Sequence, residues 1–361
     1  MRPLELIVIA SVVLGIALAS PHPAGADGDA NTRYDQALAR VHEVHAEKGA
    51  QDALVRARAL RKQATADFGS GTLKEGHVAF VIGQLQDELG EHEQALAKMR
   101  YALEITKKVY GPGHMQVAGT ELHLTGVLER QQRWAEAAAL LADVVSIFEA
   151  HHGKASAQLV NPLVRLGRAL HFAYQLPAAV AAYQRALRIA EASLGKEHPS
   201  LATILNNLAA VRDEQGELSR VERLLVRAAA VADAAYGPEH VEAIKIRINH
   251  AELVRKHGDP ARALKMARAA LKAMADRSDA AGRLAASYAH ATVGRALADM
   301  GQRSSAVPHH EAQLKTVESL MPSGNPLIAT ALTDLAHALD DETRAPKLAR
   351  RALAIVEAAY G

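Results

Sequence analysis

Cysteine is absent from the chain, which excludes disulfides, thiolate metal sites, cysteine nucleophiles and anchoring through a lipidated cysteine. Aromatics are scarce, at 4% of 361 residues, whereas 49% of the chain is apolar. Alanine and leucine must therefore supply most of the burial, which suits close helix packing and suits sheets poorly. Charge of one sign is lacking as well: 42 basic and 40 acidic side chains leave a net +2. That balance gives no nucleic-acid or membrane-surface footprint. Neither a Gly-x-Ser-x-Gly elbow nor a phosphate-binding glycine loop with its lysine occurs. Catalysis is not expected, and no cofactor is implied.

The longest apolar run, Leu6 to Ala19, is short for a membrane span, which needs roughly 20 residues. Arg2 precedes it, and Pro21, Pro23 and Ala24-Gly25-Ala26 follow. A basic start, an apolar stretch and a small-x-small site make a secretory signal peptide over residues 1–26, cut after Ala26, with a cut after Ala19 or an uncleaved anchor as the alternatives. The mature chain is then expected in a bacterial periplasm or outside the cell, without membrane insertion.

What the sequence has in place of motifs is a period. Gly69, Gly111, Gly153, Gly195 and Gly237 stand 42 residues apart. The same spacing recurs in Ala95, Ala137 and Ala179, in the small residues Gly83, Thr125, Gly167, Ala209 and Ala251, and in Gly90, Gln132, Tyr174, Gly216 and Gly258. Helix pairs explain all of these: a small residue admits the second helix, a mid-unit glycine turns the chain, and the period glycine ends the unit. Within one unit, Leu201, Ile204, Leu205 and Leu208 make one apolar face, and Leu218, Val221, Leu225 and Ala228 make the other. Neither helix is stable alone, so units must stack.

Residues 27–361 thus read as a single all-α repeat domain of about eight antiparallel helix pairs. Regular units cover 72–278 and irregular ones 279–361. Tyr34 to Gly69 forms a pair before them, turning near Gly49. Beyond Gly237 the register slips, and Pro308 is expected to kink or shorten its helix. The last pair, Pro326 to Gly361, has lost its turn glycine between Asp341 and Thr343. Its apolar end is expected to invite homo-oligomer formation through this C-terminal unit.

Gly111-Pro112-Gly113-His114, Gly195-Lys196-Glu197-His198-Pro199, Gly237-Pro238-Glu239-His240 and Leu205-Asn206-Asn207-Leu208-Ala209 resemble the tetratricopeptide repeat in its 42-residue, kinesin-light-chain form. The resemblance implies a right-handed superhelical solenoid whose first helices line a concave groove for peptides or helices of partner proteins. Under that reading His123, Arg165, Asn207 and Asn249 form an inward polar register, with Arg168, Asn206, Lys245, Glu252 and Arg295 beside it. An amide both donates and accepts, so it suits an extended peptide. Basic members outnumber the single acid, which points to an acidic or C-terminal-carboxylate ligand. The expected function is a non-catalytic scaffold for a protein or peptide in an exported or envelope complex. Self-association is the alternative, and a hydrolase or metal-binding protein a distant third.

The 18 histidines offer little chemistry. His42 and His45 are one residue too close for the zinc-protease motif, and the adjacent pairs His151-His152 and His309-His310 diverge around a helix. No metal site is expected. His114, His198 and His240 recur at unit entrances and read as helix caps. His250 stands where Leu124, Leu166 and Leu208 stand, and is expected to be partly exposed with a satisfied ring. Asp87-Glu88 and Asp213-Glu214 read as charged surface turns.

Overall fold

The computed structural model describes residues 27–360, and the signal-peptide expectation lies outside them. Sixteen α-helices, joined by short turns, make eight pairs among the described residues. The pairs are α1 (Asp27–Lys48) with α2 (Ala50–Phe68), α3 (Leu73–Glu88) with α4 (His92–Tyr110), α5 (Met115–Arg130) with α6 (Trp134–His152), and α7 (Val160–Phe172) with α8 (Leu176–Ser193). They continue as α9 (Pro199–Glu214) with α10 (Leu218–Tyr236), α11 (Val241–Lys256) with α12 (Pro260–Ala273), α13 (Ala280–Asp299) with α14 (Arg303–Leu320), and α15 (Pro326–Ala338) with α16 (Arg344–Tyr360). The fold is an all-α helical-repeat solenoid. None of the described helices is long and apolar enough to cross a membrane.

Local chemistry sets each boundary. At the entrances of α5, α9 and α11 the Nδ1 of His114, His198 and His240 accepts the backbone N–H two residues on, each at 3.2 Å. Each ring thus satisfies one orphan donor of the first turn. Tyr110 and Tyr236, which end α4 and α10, stack on His114 and His240 at 4.7 Å, so the end of one unit braces the start of the next. Gly111 takes φ 85° and returns its N–H to the Lys107 carbonyl, a conformation that carries little steric cost only without a Cβ. The mid-pair slot also needs positive φ, and Gln132 (56°) and Tyr174 (57°) adopt it without being glycine. In the last turn Asp341 substitutes for the missing glycine, accepting from the N–H of Thr343 and of Arg344 at 2.9 and 2.8 Å.

The chain divides into two compact units, one up to Ala179 and one from Val180. In the first, Val41, Leu54, Leu60, Val78 and Ile82 close one core, and Leu96, Met99, Leu124, Leu128 and Leu141 the next. Gly83 is the close-approach residue: a Cβ there would come within 2.8 Å of Met99 Cγ and 3.1 Å of the Ala95 carbonyl. In the second, Ile244, Ile248 and Met274, then Val254, Leu264, Val293 and Leu297, then Ile328, Leu332 and Ile355 continue the pattern. Each fully buried leucine or isoleucine stabilises by about 1.5–3 kcal/mol.

Pro308 lies inside α14, which continues past it and runs 18 residues against the 19 of its counterparts α4, α6 and α10. Packing of Ala306, His310 and Val317 holds the helix despite the missing N–H. Two other expectations are corrected. His250 is buried, not partly exposed, and its Nε2 has no hydrogen-bond partner. Burial lowers its pKa, as does Arg262, so the ring is held neutral. The acidic turns are inter-repeat ties, not solvated ornaments. Asp87 takes His92 at 2.9 Å and also Arg130, Glu88 takes His45 at 2.8 Å, and Asp213 takes His257 at 2.6 Å. Asp87–His92 closes a turn within one pair, and the other contacts join residues 43 or 44 apart in neighbouring repeats.

Candidate functional site

In the first unit the inward register is spent internally. Arg165, on α7, donates to the buried Thr125 hydroxyl at 2.7 Å and to the Leu122 carbonyl at 3.3 Å, and pairs with Glu129 at 3.3 Å. Arg168 pairs with the other oxygen of Glu129. His123 stands edge-on to Phe80 at 5.1 Å, and burial together with Arg165 lowers its pKa. Arg165 and Arg168 are thus occupied by the neighbouring pair, and His123 packs on the Phe80 ring.

The second unit keeps its register open. Asn249, on α11, is exposed and donates to the Asn206 side-chain oxygen on α9 at 3.0 Å. Asn207 lies next to Asn206, with an amide contact at 3.5 Å. Asn249, Glu252 and Arg295 line one cavity of about 240 Å³ with Tyr288 and Thr292 of α13, Gln313 of α14 and Thr330 of α15. First helices of three successive pairs thus converge on one polar hollow, as a repeat groove requires.

Electrostatics corrects the sequence-based charge count. Arg295 pairs with Asp334 at 2.7 Å and with Glu252 at 3.3 Å, and Lys245 pairs with Glu242 at 2.9 Å. Burial alone would lower the Arg295 pKa, but Asp334 outweighs it and holds the guanidinium charged. Every basic residue of the expected site has an acidic partner that lies outside its 42-residue register. Tyr288, Thr292, Gln313 and Asp334 were not legible in that register. Thr292 follows Asn249 by 43 residues, so allowing for the slip past Gly237 finds it. No three histidine, aspartate or glutamate side chains among the described residues are placed to hold a metal ion.

Residues 158–234 match the model of the tetratricopeptide repeat family. No curated protein matches the chain. Among solved structures, kinesin light chain repeats from Podosopora anserina share 17% identity over 56% of this chain and 95% of that one, with a TM-score of 0.50. The apo quorum sensor NprR of B. thuringiensis shares 11% over 90% of this chain and 86% of that one, at 0.59. The Rap conjugation gene regulator of plasmid pLS20, in complex with the Phr* peptide, shares 11% over 91% and 96%, at 0.50. At these identities the likeness is one of fold. With the period, the caps and the match over residues 158–234, it shows an all-α helical-repeat fold of tetratricopeptide kind, similar to that of the kinesin light chain repeats.

Proposed function

We propose that the chain is a non-catalytic scaffold that binds an extended peptide in the groove of its second unit. The observation that carries this reading is the Asn206–Asn249 amide pair beside the cavity holding Glu252 and Arg295. Asn249 is exposed and offers a carbonyl oxygen to a peptide N–H, while Tyr288 and Thr330 supply a partly apolar wall. A preformed groove with polar groups at repeat spacing lowers the ordering cost of such a ligand. The peptide held by the Rap regulator is consistent with this use of the fold.

Panning a random phage-displayed peptide library on the full chain tests it. Peptides enriched by the parent chain are expected to bind the Asn207→Ala/Asn249→Ala double variant at least about tenfold more weakly, with unchanged helicity. Equal binding sinks the proposal. A carboxylate-bearing ligand is the finer version, since Arg295 is the one guanidinium lining the cavity. It requires Asp334 or Glu252 to be displaced, so amidating a selected peptide's C-terminus separates the two versions.

Leu353 and Val356, exposed on α16, favour self-association as a second reading. A monomer by light scattering, unchanged in Leu353→Glu/Val356→Glu, argues against it. The export reading rests on residues 1–26 alone, and a secreted product beginning at Asp27 by mass spectrometry is its test.

A further inference from the structure

A cavity larger than the one in that groove lies elsewhere. It lies in the first unit, between α2 and α4, with α3 behind it, and measures about 930 Å³. Arg58, Arg61, Lys62 and Lys98 line it, against one carboxylate, Glu75. We propose that this cleft binds a small organic anion carrying at least two negative charges and a hydroxyl donor.

The charge follows from the pairing. Glu75 is buried and committed: Arg61 reaches it at 2.9 Å, and the Tyr101 hydroxyl and the Gly71 N–H each donate to it at 2.7 Å. Arg58 has only a 4.0 Å contact with Glu91. Lys62 and Lys98 have no ion pair among the described residues. At least two positive charges are therefore uncompensated at one cleft. Burial and repulsion by Arg61 and Arg58 lower the Lys98 pKa, a strain that a bound anion relieves.

The polar atoms that lack partners narrow the class. Gln86 lines the cleft and is almost wholly buried. Its Nε2 donates to Glu91 at 3.0 Å and to Gln94 at 2.6 Å. The Glu91 carboxylate only accepts, so the amide orientation is fixed and Oε1 is left as an acceptor without a donor. Arg61 Nε is likewise a buried donor without an acceptor. A ligand that presents both anionic oxygens and a hydroxyl completes both. The site sits largely on second helices and is separate from the peptide reading, so Asn207 and Asn249 variants leave it untouched.

Isothermal titration calorimetry of the full chain at constant ionic strength is the test. Citrate and fructose 1,6-bisphosphate are the carboxylate and phosphate arms, tricarballylate is citrate without its hydroxyl, and acetate is the monoanion control. One of the first two is expected to saturate a single site. Lys62→Met/Lys98→Met is expected to weaken it about tenfold or more, and the double arginine variant to restore it. The melting temperature without ligand reports whether each variant folds, and Lys98→Gln alone serves if the double variant does not. No saturable binding of either probe, equal binding to the methionine variant, or an equal response to acetate overturns the site. Equal binding of tricarballylate and citrate overturns the hydroxyl requirement.

Discussion

His123 and Arg165 in the first unit hold the same place in the repeat as Asn207 and Asn249 in the second, yet their fates are opposite. Arg165 is locked onto Thr125, Leu122 and Glu129. Asn249 donates one hydrogen bond, to the Asn206 side-chain oxygen, and is otherwise exposed. A guanidinium reaches across a repeat to a neighbour's carboxylate, so it becomes part of the scaffold. A short amide finds at most another amide and keeps unused capacity. The comparison separates residues that hold repeats together from residues left available to a ligand, although both occupy an inward position.

The largest effect is expected at the buried ion pair of the first unit. Glu121 is fully buried, and Lys107 lies 2.9 Å from its Oε1. Burial raises the Glu121 pKa, and Lys107 opposes the rise. Lys107→Met should cost about 3 kcal/mol at pH 7, the scale of stranding a buried carboxylate that can escape by protonation. A carboxyl whose folded pKa is raised loses stability as pH rises, so the deficit should shrink toward pH 4.5 in denaturant titrations. A pH-independent deficit breaks this account.

Next come Arg165 and Asn249 themselves. Arg165→Ala leaves Glu129 to Arg168 alone and removes a donor from the buried Thr125, so it should destabilise by about 1–2 kcal/mol. Asn249→Ala should change stability by about 0.5 kcal/mol or less while weakening peptide capture. Chemical denaturation of both variants reads the contrast directly, and equal losses would erase it.

Acid should weaken both units through histidine. Burial lowers the pKa of His77 in the first unit to about 4, and burial with His309 lowers His290 in the second to about 4. The unfolded chain protonates these rings from about pH 6.5 downward while the folded chain does not. Stability is therefore fully present above that pH and falls toward pH 4, by on the order of 2 kcal/mol for each ring. Glu75 acts lower. Burial raises its pKa, but the bonds from Gly71, Tyr101 and Arg61 outweigh it, so its contribution is lost as pH falls below the ordinary carboxylate range. His290→Asn and His77→Asn should each flatten the loss between pH 6.5 and 4 in circular-dichroism melts. A slope unchanged in both refutes the assignment.

The smallest effect lies in the turns. Tyr174 is 85% exposed at φ 57°, in a slot that holds glycine in the pairs α9/α10, α11/α12 and α13/α14. Tyr174→Gly should stabilise by about 0.5–1 kcal/mol, since relief of the left-handed strain exceeds the added chain entropy. A lower melting temperature would show that the exposed ring makes contacts worth more than the strain.

Periodicity determined most of this protein by itself. The 42-residue period placed the regular pairs, their mid-pair turns and the histidine caps, because caps, turns and apolar faces depend on residues within one or two turns of helix. It marked Gly83 as the site of close approach for the same reason. Tertiary structure alone decided which polar residues remain free. Glu129 and Asp334 neutralise the arginines of the expected groove, and His250 is sealed where a ring nitrogen has no partner. The cleft of Arg58 and Lys98 needs two second helices brought side by side. Such pairings join residues about 36 to 44 apart or across a helix pair, and their side-chain reach and direction are fixed only when the repeats stack.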